Sequence, residues 1–474
     1  MMGPLEQKII DFTLSTSFAD LNDEAIRAAK MRVLDSIGVG LAAFMAPPVR
    51  IARRIAQPTS GPLKSSIWGT GMKTTPEMAG FVNGVMVRYL DLNDAYRTKD
   101  AHHPSDYLPG ILALSEALGA SGSRFTEALA IAYEIQCRFT DAVPWNDNGF
   151  DQPVSGALGT AMAAGKLLGL NAEALRNALA LTLIPNLCTY QTRAGELSMW
   201  KGCAGPNGAR NGLFAALMAA EGMSGPYEAF DGVFGVWNQT LGQAYDIELQ
   251  SGGGEERIWG LQQTNIKTYA VRDSCQLPID TARDLRVKVK AADISSMCIE
   301  TYHSAWLGAV KDPELWAPKT RETADHSMLF SVCCALIDGT VTPDSFEQKR
   351  FSDNDVLDLI SRTEVNVLDE FTEATPQRRN CRIVATLKDG AEVIAHRELT
   401  LEDIEKGMSD KELVAKFHAC ASKLMTETER QAIIDMVAGL ERLESVNSAI
   451  GLIRSEQMQS LLDEEDPMKS GGLE

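Results

Sequence analysis

Two adjacent histidines, four carboxylates and two basic side chains fall between Tyr89 and Tyr107, in the string YLDLNDAYRTKDAHHPSDY. The whole chain has only six histidines, so His102-His103 concentrates the side chain that exchanges protons near neutral pH. Pro104 restricts His103 to extended backbone, and Ser105 or Asp106 stands where the next helix needs a cap. A solvated loop before a capped helix would have the same composition. The carboxylates Asp91, Asp94, Asp100 and Asp106, with Arg97 and Lys99, are what a proton-transfer site would need around an imidazole.

Two further stretches carry lysines in unusual settings. In Gln191–Asn211 (QTRAGELSMWKGCAGPNGARN), Lys201 lies between bulky Met199-Trp200 and small Gly202-Cys203-Ala204. Partial desolvation there would lower its pKa and make it a neutral base or a tight anion anchor. In Asn265–Gln276 (NIKTYAVRDSCQ), Lys267 is expected on a strand where the texture of the chain changes, and a cleft between domains is a usual place for a substrate. Taken alone, a lysine is more often a surface charge.

The elements that must position these residues are mainly helical. After Asn22 or Asp23 as a cap, Glu24–Phe44 repeats apolar residues at Ile26, Ala29, Val33, Ile37 and Leu41, which is helical spacing. Helices are likewise expected at Glu77–Leu90, Leu108–Gly119, Phe125–Thr140, Ser155–Leu168, Ala172–Ile184 and Gly208–Glu221. Their Ala and Gly content lets backbones approach closely, as a packed core requires. Between Ile266 and Leu399 the pattern mixes. Asn265–Val271 and Met297–His303 read as strands, and Ile279–Asp284 and Ala324–Asp338 as helices. Arg382–Leu387 and Ala391–His396 alternate about Lys388-Asp389-Gly390 as a hairpin. Helical periodicity returns after Ser409, and Asp463-Glu464-Glu465-Asp466 opens a tail expected to be loose. The reading is a mainly α chain with an inserted α+β lid. Residues 1–265 and 401–474 form the helical domain, and residues 266–400 form the lid.

Composition narrows the function. A net charge of −19 over 474 residues argues against nucleic acid and anionic membrane surfaces as partners, since both are held by clustered Lys and Arg. An anionic substrate would need its cations concentrated locally, against the repulsion of the rest of the chain. No apolar run reaches membrane length, and Met1–Lys8 lacks the features of a secretory signal. With nine cysteines and no C-x-x-C pair, a cytoplasmic protein with reduced thiols and no zinc or iron–sulfur site is expected. Gly159…Gly165-Lys166 has the wrong spacing for a phosphate loop, and Leu167 replaces the magnesium-binding hydroxyl. Ser198-Met199-Trp200-Lys201 and Ser352-Asp353-Asn354 match two hydrolase strings, but the third, K-T-G, does not follow them.

The same stretches, taken together, resemble the MmgE/PrpD family of lyases and isomerases that act on small polycarboxylates. The resemblance rests on Lys30…Leu34-Asp35-Ser36-Ile37-Gly38, on Asp91…Asp94 with His103-Pro104-Ser105-Asp106, and on Glu196-Leu197-Ser198-Met199-Trp200-Lys201-Gly202. It continues through Ala209-Arg210-Asn211-Gly212, Ile266-Lys267-x-Tyr269, Thr323-Ala324-Asp325-His326-Ser327 and Leu336-Ile337-Asp338-Gly339. It implies a large helical domain built from both chain ends, a smaller α+β lid, a homodimer, and no metal or organic cofactor. It places His103, Lys201, Lys267 and Asp91 in the catalytic apparatus, with Asp94, Gln152, Arg193, Ser274 and His326 around the substrate. Gln152 and Ser274 stand where family members carry histidine, and Phe330 where many carry tyrosine. The implied activity is a lyase of a di- or tricarboxylate, by dehydration or decarboxylation. An epimerase is the alternative, because epimerisation needs a base on each face and no acid for a leaving group. A binding protein that has lost catalysis is the third reading. In the expected mechanism His103 transfers the proton, Asp91 orients it, and the two lysines hold carboxylates.

Overall fold

The computed structural model describes residues 2–465, and within them the chain is mainly helical with three small sheets. Helix Asp23–Ala42 starts at Asn22, whose side chain accepts the Ala25 N–H, and helix Gly122–Ala142 starts the same way at Ser121. Such caps satisfy backbone donors that the first turn leaves free. Helices Pro76–Tyr89, Leu108–Ala117, Pro153–Leu168 and Ala204–Ala220 stack around them with little between their backbones. A methyl group added at Gly80 would come within 2.7 Å of the Gly110 Cα, and one at Gly212 within 2.4 Å of the Ala157 carbonyl oxygen.

One hydrophobic cluster draws its residues from Leu5 to Ile266 and again from Leu413 to Met458. The returning helix Asp410–Ala421, capped by Ser409, packs Phe417 against Gly38 of helix Asp23–Ala42. A second cluster spans Tyr269 to Ala395 and adds Val39, Ala43, Leu90 and Leu92. Its sheet runs Thr363–Val367, Ile294–Thr301, Arg378–Leu387, Glu392–Thr400, with the first pair parallel and the others antiparallel. The expected hairpin turns at Gly390, whose φ of 86° suits glycine.

Four local expectations are corrected. Only Asn265–Ile266 is strand, because the Gln276 side chain takes the Thr268 and Tyr269 N–H groups; Lys267 therefore follows the strand. The helix expected over Ala324–Asp338 is broken at Asp325–Ser327. Ser327 caps a separate helix, Met328–Asp338, which turns Asp325 and His326 inward. Ser105 and Asp106 cap nothing; they sit in a buried 3₁₀ turn and bond to Asp94 and Asn93. Asp463–Glu465 end a helix, Glu456–Glu465, and Glu465 pairs with Arg50 at 2.8 Å. The rest of the expected tail lies outside the described residues. No single helix among those described is long and apolar enough to cross a membrane.

Gly212→Ala tests the close helix contact. It should lower stability by about 1–3 kcal/mol through overpacking, seen as a lowered melting temperature. An unchanged melt would mean that the two helices are not held this closely.

Candidate active site

A short three-stranded sheet assembles the site. Asp94–Arg97 pairs with Ala101–His102 on one side and Asn265–Ile266 on the other, with Asp94 opposite Ile266. This register brings Lys267 beside the segment that carries Asp91. Asp91 follows helix Pro76–Tyr89 with φ at 52°, a left-handed conformation that non-glycine residues adopt at a cost. Its side-chain partners hold it there. Arg88 Nη1 lies 2.8 Å from Asp91 Oδ1, Lys201 Nζ lies 3.3 Å from Oδ2, and Lys267 Nζ pairs with Oδ1 and donates to the Asp91 carbonyl at 2.8 Å. All four residues are at most 1% exposed. Burial alone would raise the Asp91 pKa, but Arg88, Lys267 and Lys201 outweigh it and hold the carboxyl well below its usual range.

Lys201 also donates to both oxygens of Asp325, at 2.6 and 2.7 Å, and Arg321 Nη1 adds a 2.9 Å bond to Asp325. Burial draws both lysines below the usual ammonium value. Their donors are thus directed at protein carboxylates rather than at open space, which differs from the expectation that they hold substrate. Asp91, Asp325 and His326 lie close enough together to raise the question of a cation site. The donor set fits a metal poorly: its carboxylates already face Arg88, Lys201, Lys267 and Arg321, and a further cation would meet four positive charges.

Next to this cluster is a cavity of about 30 Å³. His102, His103, His326 and Gln152 line it, with Arg88, Arg97, Arg193 and Arg272. His103 Nδ1 bonds the Asp94 carbonyl oxygen at 2.8 Å. A carbonyl only accepts, so Nδ1 carries the proton and Nε2 keeps a free lone pair. Burial, then Arg88 and Lys267, push the His103 pKa well below the ordinary histidine value. His326 bonds Asp325 through Nδ1 at 2.6 Å, and burial and Lys201 push it down to about 3. Both imidazoles are therefore neutral at neutral pH, each with its Nε2 lone pair available.

The remaining expected residues divide. Asp94 turns its carboxylate to the protein, where it accepts from Ser105 at 2.6 Å and from Tyr133 at 3.0 Å. Asp94, not Asp91, orients His103, and does so through its backbone. Gln152 lines the cavity but spends its amide on the protein, accepting the His103 N–H at 2.6 Å and donating to Asp106 at 3.1 Å. Asp106 also faces Arg88 at 3.4 Å, and burial pushes its carboxyl up to about 7. Ser274 is buried, its hydroxyl unpaired among the described residues, and does not line the cavity. Arg193 does line it. Its Nε faces Asp151 at 3.2 Å and its Nη1 bonds the Lys201 carbonyl at 3.2 Å, while Nη2 has no hydrogen-bond partner among the described residues.

Sequence reasoning missed Arg88 and Arg272, gave His102 no separate role, and did not single out Asp325. Arg88 carried one usable signal, as a charged residue near the end of a largely apolar helix that runs straight into the acidic stretch.

Comparison with known proteins gives a family for the chain. The family description MmgE/PrpD N-terminal domain matches residues 7–248, and MmgE/PrpD C-terminal domain matches residues 269–442. The chain is similar to cis-aconitate decarboxylase of Homo sapiens, 28% identical over 460 residues covering 92% of this chain and 91% of the relative. It is also similar to 2-methylcitrate dehydratase of Escherichia coli K12, 25% identical over 473 residues covering 92% and 94%. Cis-aconitate decarboxylase of Aspergillus terreus is 24% identical, covering 92% of each chain.

The Asp91–Lys267 pair can be tested by a mutant cycle. Lys267→Met and Asp91→Asn should each cost about 3–5 kcal/mol in chemical unfolding, because each strands a buried charge. The double variant should cost clearly less than the sum of the two. Strict additivity would show that the two residues do not interact.

Proposed function

The chain belongs to the MmgE/PrpD family, and from that premise we propose that it is a metal-independent lyase of a small di- or tricarboxylate. One observation carries the reading: a neutral imidazole, His103, has its Nε2 lone pair free in a small cavity that four arginines also line. Arginine suits carboxylate because its planar fork pairs with both oxygens. In this mechanism a substrate carboxylate lies on Arg193, and His103 Nε2 removes the proton from the adjacent carbon. The carbon–oxygen bond to the leaving hydroxyl breaks as the double bond forms, and His103 returns its proton to that oxygen, releasing water. The guanidinium stabilises the negative charge that builds up on the carboxylate. Dehydration fits a neutral His103 better than decarboxylation does, because loss of CO₂ leaves a carbanion that needs a proton donor. Lys201 and Lys267 act through Asp91 and Asp325, and Lys267 also keeps His103 unprotonated. We take residues 266–400 as a lid over this cleft, the protein as cytoplasmic, and the functional unit as a homodimer.

Epimerisation is the second reading, and His326 favours it. It offers a second free Nε2 in the same cavity, and two bases suit proton removal on one face and return on the other. Proton NMR in heavy water with a panel of di- and tricarboxylates separates the possibilities. Loss of the hydroxyl or of CO₂ marks a lyase. Exchange of the α-proton without net conversion marks an isomerase, and binding with neither would sink both.

With a turned-over substrate in hand, His103→Gln should lower kcat by about 10²–10⁴ with little change in KM, because the lost interaction is made in the transition state. The neutral base is the active form, so activity persists as pH falls until it passes through the depressed His103 pKa. The acidic limb of kcat/KM should therefore lie below the ordinary histidine range, and Lys267→Met should move it upward. Exhaustive EDTA treatment should leave turnover unchanged; loss restored by one divalent ion would overturn the metal-independent reading.

A further inference from the structure

Three of the cavity's four arginines have their charge matched by the protein. Arg88 faces Asp91 and Asp106. Arg97 Nε bonds Asp273 at 2.9 Å, and Arg193 faces Asp151. Arg272 differs. Among the described residues its guanidinium has no ion pair and no hydrogen bond, although Asp273 is the next residue in the chain. The Asp273 carboxylate is drawn away by Arg97 and by Arg379 at 3.1 Å.

The position of Arg272 is nevertheless fixed. Its N–H donates to the Asp325 carbonyl at 2.8 Å, and it precedes helix Asp273–Lys288. Its guanidinium lies over Gly308 of helix His303–Ala309, where an added methyl would fall 2.5 Å from Nη2. Glycine there makes room for the group. A part-buried guanidinium without a protein partner, lining a cavity whose other arginines are matched, is free to receive an incoming anion.

We propose that Arg272 is a second carboxylate anchor, and the residue through which the site selects polycarboxylates over monocarboxylates. This rests on the carboxylate-binding reading above. Arg193 enters the cavity beside Asp151 and Gln152, whereas Arg272 enters beside Asp325 and His326. A ligand that places a separate carboxylate on each must carry two, and it needs the cavity to open beyond the roughly one water that about 30 Å³ admits. Among the cavity's arginines, Arg272 has its whole guanidinium free of protein partners among the described residues, whereas Arg193 keeps only Nη2 free for a first carboxylate.

Calorimetric titration of the full chain with tricarballylate, which lacks a leaving group, and with butyrate tests this. The unaltered protein should bind tricarballylate at least about 10-fold tighter than butyrate, the worth of one charge-assisted pair. Arg272→Gln should weaken tricarballylate binding by about 10–100-fold and leave butyrate within about twofold. Arg272→Lys should restore only part of the loss, because a point charge cannot replace the fork. Gly308→Ala should also weaken tricarballylate binding by displacing Arg272. The melting temperature of Arg272→Gln should stay within about 2 °C of the unaltered protein, since no side-chain hydrogen bond or ion pair is lost. Tricarballylate affinity within twofold of the unaltered protein in Arg272→Gln would overturn the assignment. So would a lowered melting temperature with intact affinity, which would mark a structural role. If the unaltered protein fails to prefer tricarballylate, the carboxylate reading of the whole site fails, and this assignment with it.

Discussion

A single buried carboxylate holds this site together. Asp91 is almost inaccessible to solvent and stands in a left-handed backbone conformation. Taking such a charge out of water costs several kcal/mol unless it is fully paired. Arg88 comes from the preceding helix, Lys201 from a 3₁₀ turn before helix Ala204–Ala220, and Lys267 from the segment after a two-residue strand. Three segments distant in sequence must converge before Asp91 is satisfied, so the charge acts as a registration point for the fold. Lys416 reinforces it from the returning helix, donating to the carbonyls of Leu92 and Lys267 at 2.8 and 2.7 Å while pairing with Asp35.

This arrangement divides labour between the two kinds of cation. Lysine presents a compact charge that can be enclosed by carboxylates, and here both active-site lysines are. Arginine stays charged and presents a flat edge, and here it lines the cavity. The enclosed lysines still act on the chemistry through space. Lys267 and Arg88 disfavour a proton on His103, and Lys201 does the same for His326. Two histidines that would be half-protonated near neutrality in water are thereby kept as bases, each with its tautomer fixed by an acceptor at Nδ1.

Much of this was legible in the sequence, and what was not has a common cause. The caps at Asn22, Ser121 and Ser409, the hairpin about Gly390 and the close Ala/Gly helices follow from local rules that act within a few residues. That Asp91, His103, Lys201 and Lys267 come together followed from motif resemblance. The orientation of each group did not. Whether Lys201 faces a ligand or Asp325 depends on a helix break at Asp325–Ser327, which sequence periodicity hides because the polar residues there read as the solvent face of one continuous helix. Asp94 looks like a second acid, but the Ser105 and Tyr133 hydroxyls take its carboxylate, leaving its backbone oxygen to orient His103. Arg272 gave no sign, because the absence of a partner is a property of the folded neighbourhood and not of a string.

The charge balance bears on how a chain of net charge −19 would hold the anion proposed above. Around Asp91 the carboxylates are Asp91, Asp325 and Asp106, and the cations are Arg88, Lys201, Lys267 and Arg321. The third carboxylate does not cancel the fourth cation in full. Asp106 shares Arg88 with Asp91, and burial pushes it up to about 7, so near neutrality it carries only part of its charge. The buried cluster keeps a fractional positive charge, and the unmatched Arg272 adds to it on the cavity wall. Because the cluster is shielded from salt and water, this local field is screened far less than the distant acidic surface. An anion that reaches the cavity meets net attraction, even though the protein as a whole repels it.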